Sequence, residues 1–151
     1  MESQMKRAAT TIGSFFLAAT IAACGDSSTP AQRLSTGNYA ATIFTTTGTG
    51  GQTNQIAAGS ELNLSLGPTG ATAGHLHIAA SGSQPAVEAD MAGTWTEEGN
   101  VVEIDQPADT FVRDMDFTAG PGINGTWTLS GDQSFNGTRI QITLTRISGA
   151  P

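Results

Sequence analysis

Lysine is missing from everything after residue 6, cysteine occurs once and histidine only twice. With thirteen acidic residues against six basic ones, the chain has no stretch able to grip a phosphate backbone, so nucleic acid is excluded as an expected partner. The same shortage leaves no polybasic patch to draw the chain onto anionic lipid. One cysteine, Cys24, excludes an intrachain disulfide framework. There is no Gly-x-Ser-x-Gly elbow and no further thiol to serve as a nucleophile, so no enzyme activity is expected and no cofactor is called for. Gly48, Gly50 and Gly51 lack the Lys-Ser/Thr and the following helix of a phosphate cradle and read as a flexible hairpin loop over Thr45–Thr53. Amphipathic helical periodicity is absent after residue 23.

What the front of the chain does contain is a sorting signal. Lys6 and Arg7 precede an uncharged run, Ala8 to Ala23, with Phe15, Phe16 and Leu17 at its most apolar point. A basic n-region, a short apolar core and small residues make an export signal, and the run is too short to span a bilayer comfortably. Ile21-Ala22-Ala23-Cys24 resembles the lipobox of bacterial lipoproteins. That resemblance implies removal of residues 1–23 and acylation of Cys24, hence a lasting anchor, because several acyl chains hold where one holds only marginally. Gly25 rather than Asp after the cysteine favours, by analogy with lipoprotein sorting, the outer membrane of the cell envelope.

Residues 24–36 read as a polar, flexible tether. Losing Glu2, Lys6 and Arg7 leaves twelve acids against Arg33, Arg113, Arg139 and Arg146, a formal charge of −8. The remaining length suits one domain, placed at residues 37–147 with a tail at 148–151.

Within that domain the apolar residues recur with a period near two, in short runs punctuated by Gly, Asn, Asp and Pro, which is the pattern of half-buried antiparallel strands. The sequence predicts strands over Tyr39–Phe44, with Tyr39, Ala41 and Ile43 on one face, and over Glu61–Leu66, with three leucines on one face. It predicts others over Gly74–Ala79, Ala89–Thr96, Val101–Ile104, Thr110–Phe117, Gly125–Phe135 and Arg139–Arg146. Gly67-Pro68-Thr69-Gly70 and Asn136-Gly137 supply turns, the latter the strongest hairpin signal in the chain. Roughly eight strands joined in order, with no long crossover, predict an all-β, antiparallel up-and-down barrel, whose lumen is just wide enough to be filled by side chains or to hold one small ligand.

Gly37-Asn38-Tyr39 on the first strand and Arg146 at the end of the last resemble the lipocalin arrangement in which an aromatic packs on an arginine to shut the barrel floor. The strand starts Gly93-Thr94-Trp95 and Gly125-Thr126-Trp127 are similar to those of bacterial lipocalin-like lipoproteins. The resemblance implies a small apolar or amphipathic ligand in the lumen, with Tyr39 and Arg146 closing the barrel. Tyr39, Leu64, Trp95, Phe111, Arg113, Met115 and Trp127 are the candidate ligand-binding residues. The alternative is a non-catalytic envelope module with a filled barrel, working through contact with another protein.

Arg113 shares a predicted face with Phe111, Met115 and Phe117. An unpaired charge in the lumen costs several kcal/mol, so Arg113 either meets a ligand's carboxylate there or faces outward, with Val112 inward and Asp114 as its partner. His75 and His77 point to one side of one strand; as a metal site they would need a carboxylate from a neighbouring strand, since zinc takes three or four ligands. Otherwise they are two histidines on the outer wall.

Overall fold

The structure, a computed structural model, describes residues 34–149. The stretch expected to be a signal, Cys24 and Arg33 lie outside the described residues. Ten strands run in chain order: β1 (Gly37–Gly48), β2 (Gly51–Asn54), β3 (Glu61–Leu66), β4 (Ala71–Ile78), β5 (Val87–Asp90), β6 (Gly93–Glu98), β7 (Val101–Asp105), β8 (Phe117–Pro121), β9 (Trp127–Phe135) and β10 (Thr138–Ser148). Eight of them form a closed antiparallel ring in the order β1-β3-β4-β6-β7-β8-β9-β10, and β10 pairs back onto β1. The remaining two, β2 and β5, are short flaps on β1 and β4. The predicted up-and-down barrel of eight strands is therefore what the chain builds.

Alternation explains the wall. Leu62, Leu64 and Leu66 of β3 are buried while Glu61 and Asn63 between them are exposed, because successive side chains of a strand leave on opposite faces. The inward residues of all the strands merge into one cluster that includes Tyr39, Leu64, Leu76, Trp95, Phe117, Leu129 and Ile142. Asn136 and Gly137 turn β9 into β10 with φ of 49° and 81°, left-handed values that suit Asn-Gly in a two-residue hairpin.

Three predicted strands and one predicted loop are corrected. In β1 a register shift between Ala41 and Ile43 reverses the phase, so Ile43 points out and Phe44 points in; one extra residue in one strand of a pair has that effect. The hairpin loop expected over Thr45–Thr53 is itself strand-paired rather than flexible, with Gly48 opposite Gly51. Ala89–Thr96 is two strands, broken where Met91 turns inward and its N–H bonds the Gly74 carbonyl at 3.1 Å. Gly74 marks the bend at which β4 changes partner, and a Cβ there would lie 2.1 Å from the Asn63 carbonyl oxygen. Finally, most of Thr110–Phe117 is no strand: 111–114 is a turn, and β8 begins only at Phe117. The turn puts Val112 inside beside Met115 and Phe117, so the face shared by Phe111, Arg113 and Met115 does not exist.

The two ends of the barrel differ in their connections. One end, the floor, carries tight turns at 67–70, 99–100 and 122–126 together with the start of β1 and the end of β10. The opposite end carries the long connections 55–60, 79–86 and 106–116. Two seams in the wall are thin: β4–β6 and β7–β8 each pair at two positions only.

Candidate functional site

Ser35 is the hub of the floor, completely buried although it lies in the stretch expected to be tether. Its hydroxyl donates to Glu97 Oε1 at 2.8 Å and accepts from Trp127 Nε1 at 3.3 Å. Its N–H donates to Glu97 Oε2 at 3.3 Å, and its carbonyl accepts from the Tyr39 hydroxyl at 2.7 Å. Every polar atom of Ser35 thus has a partner, which is what complete burial demands.

Arg146 completes the plug. Its guanidinium carbon lies 5.6 Å from the Trp127 ring centroid and 5.7 Å from that of Tyr39, within cation–π reach of both. Its Nη2 donates to the Tyr39 hydroxyl at 3.2 Å and to the Leu34 carbonyl. Burial pushes the Tyr39 hydroxyl above its ordinary pKa, and the neighbouring Arg146 pulls against that shift without reversing it. Tyr39 and Arg146, the pair expected at the floor, are in contact there, and Trp127 and the segment at Leu34–Ser35 join them. No sequence signal marks Ser35 beyond its place just ahead of Gly37-x-Tyr39.

Above the plug the lumen is packed. Leu64, Trp95 and Met115, three of the candidate ligand-binding residues, are each 2 % exposed or less and belong to one continuous core with Tyr39. Trp95 also spends its indole N–H on the Gly67 carbonyl at 2.9 Å, tying the β3–β4 turn to β6. Phe111 and Trp127 are partly buried against that core, and the Phe111 ring lies 5.5 Å from Phe44. Met115 occupies the space a side chain at position 131 would need: a Cβ on Gly131 would lie 2.1 Å from its sulfur. The segment 106–116 therefore caps the second end, with Val112 and Met115 turned down into the barrel. Under it Gln106 is buried, its amide nitrogen on Thr110 Oγ1 at 2.8 Å and its Oε1 without a partner.

Arg113 does not reach the lumen. It stands on the outside of the cap, donating to Asp109 Oδ1 at 2.6 Å and Asp114 Oδ1 at 2.8 Å. Hydrogen bonds from Arg113 hold the Asp114 carboxyl below its ordinary pKa and raise the guanidinium's own. Arg113 and Asp114, with Glu103, Asp105 and Asp116, line an open groove of about 420 Å³ on the outer wall.

His75 and His77 also lie on the outer wall, and both bond one carboxylate. His75 Nε2 is 2.7 Å from Glu88 Oε2 and His77 Nδ1 is 2.5 Å from Glu88 Oε1. The bond from His77 is the chief cause that lowers the Glu88 pKa. The carboxylate expected from a neighbouring strand is present, but as a hydrogen-bonded clamp that fastens β5 to β4; among the described residues no three His, Cys, Asp or Glu are grouped so as to hold a metal ion.

Compared with models of known protein families, with curated protein sequences and with solved structures, the chain has no match in any of the three.

Proposed function

We propose that the chain is a lipid-anchored, non-catalytic protein of the bacterial cell envelope, too crowded inside to carry cargo, whose filled lipocalin-like barrel works through its outer surface. The observation that carries this reading is the state of the lumen: the residues that would line a ligand chamber, Tyr39, Leu64, Trp95 and Met115, are already packed on one another between a hydrogen-bonded floor and an apolar cap. The anchor rests on the basic n-region, the short apolar run and Ile21-Ala22-Ala23-Cys24, and the outer membrane on Gly25. Its partner is a protein, and the acidic, lysine-free surface favours a basic face on that partner.

A second reading, a carrier of a small apolar ligand, is favoured by one feature: β7 and β8 pair at only two positions, and the cap hangs from that seam. Lifting 106–116 would open the lumen from above. Native mass spectrometry of the protein purified from a bacterial host decides between the two. A mass equal to the processed protein alone is the expected result; a retained small-molecule adduct released on denaturation would replace the filled-barrel reading with the carrier.

A further inference from the structure

We infer that the floor of the barrel is a bilayer-contacting surface, with Leu34, Ile123 and Ile147 dipping into the lipid interface. This rests on the reading of Cys24 as the lipid-bearing residue. Of the large apolar side chains left exposed among the described residues, these three are the most exposed, at 52 %, 88 % and 65 %. The other three, Ile43, Ile56 and Val87, lie on separate strands or loops up the wall.

Topology brings the exposed three together around Arg146. The Leu34 carbonyl accepts from its guanidinium, Ile147 is its chain neighbour, and Ile123 sits in the turn between Pro121 and Trp127, whose ring lies against the same guanidinium. They rim the end where the tether enters. Ten residues separate Cys24 from Leu34, a span of about 35 Å at full stretch and about 17 Å as a flexible coil. The anchor therefore joins the barrel at its floor, the end that a coiled tether keeps close to the lipid.

Charge favours the same orientation. The floor turns and strand ends hold Glu97, Glu98 and Arg146, and both Glu97 and Arg146 are bonded within the plug. Glu61, Glu88, Asp109, Asp114, Asp116 and Asp132 lie in the opposite half, against only Arg113 and Arg139. An anionic membrane surface repels the acidic half and leaves the apolar rim facing it. Isolated apolar side chains on a protein surface are ordinary; three at the tethered end, with most of the acids elsewhere, are a contact surface for a lipid interface.

The test uses the whole chain expressed in a bacterial host, recovered from membranes and reconstituted in vesicles of phosphatidylcholine with phosphatidylglycerol. Acylation blocks Cys24, so an introduced cysteine is the single reactive thiol. An environment-sensitive fluorophore is placed by Ile123→Cys at the floor and by Ala58→Cys in the loop at the opposite end, and quenching by nitroxide-labelled lipid is read for each. The expected result is a blue shift and several-fold greater quenching at position 123, reduced towards the level at position 58 by Leu34→Ser with Ile147→Ser. Equal, weak quenching at both positions on an acylated protein overturns the floor contact and leaves the anchor standing. An intact mass without acyl chains, with a reactive thiol at Cys24, overturns the anchor and the contact together.

Discussion

At the floor, Ser35, Tyr39, Trp127 and Arg146 close the lumen with directed hydrogen bonds and a cation held against two rings. At the opposite end, Phe111, Val112 and Met115 close it chiefly by apolar contact, from a segment with no regular structure. A hydrogen-bonded plug is satisfied in one arrangement only, since a slip of β10 against β1 would leave buried donors and acceptors unpaired. Apolar contact is non-directional and tolerates repacking. The floor thus specifies the register of the barrel, and the cap supplies stability without specifying much.

Substitutions separate the two contributions. The reference is Trp95→Ala, in the packed centre, which is expected to cost about 3–5 kcal/mol by chemical denaturation. Trp127→Ala, at the half-buried floor, is expected to cost less; an equal loss would mean that the floor is as tightly packed as the centre. Met115→Ala is expected to cost about 2–5 kcal/mol and to raise hydrogen exchange over 106–116 while leaving the floor turns protected. Tyr39→Phe removes one hydroxyl and costs about 1–3 kcal/mol, because the Ser35 carbonyl and Arg146 lose a buried partner. Its signature is exchange at both the start of β1 and the end of β10, which an apolar loss at the cap would not produce.

The smallest effects are those of pH, and they have opposite signs at the two ends. Tyr39 has a raised folded pKa, so its contribution is complete below the ordinary tyrosine value of about 10 and is lost as pH rises through the higher folded value. Tyr39→Phe is expected to flatten the alkaline limb of the stability curve. Glu88, Asp114 and Asp132 have lowered pKa values, from bonds to His77, Arg113 and Arg139 respectively. Their contributions are present above the ordinary carboxylate range and are lost as pH falls through the depressed values. All three carboxylates are solvent-exposed, so Glu88→Gln is expected to change the acid limb only slightly. A large change would mark the clamp on β5 as a major support.

The regular wall was legible because alternation has one cause. Leu62, Leu64 and Leu66 announced β3, Asn136-Gly137 announced the last hairpin, and Tyr39 with Arg146 announced the floor, each a signal carried by residues adjacent in sequence or by a spacing that a closed barrel brings together. The cap was misread because Phe111, Arg113, Met115 and Phe117 alternate as a strand would, while the chain turns at 111–114 and feeds Val112 inward. Periodicity cannot distinguish a strand from a turn that happens to alternate. The bulge that exchanges Ile43 for Phe44 is set by pairing with β10, and the Glu88 clamp by pairing between β4 and β5; neither is local information.

The floor also fixes when the barrel can be finished. Tyr39 and Arg146 stand 107 residues apart in the chain, and β1 meets β10 from Asn38 opposite Ser148 to Thr47 opposite Arg139. A contact of that sequence separation forms late and slowly. Until β10 has emerged, the Leu34 carbonyl and the Tyr39 hydroxyl have no guanidinium to receive and β1 has an open edge. A newly made chain therefore stays unsealed until β10 has been made, and the floor locks only when that strand reaches β1.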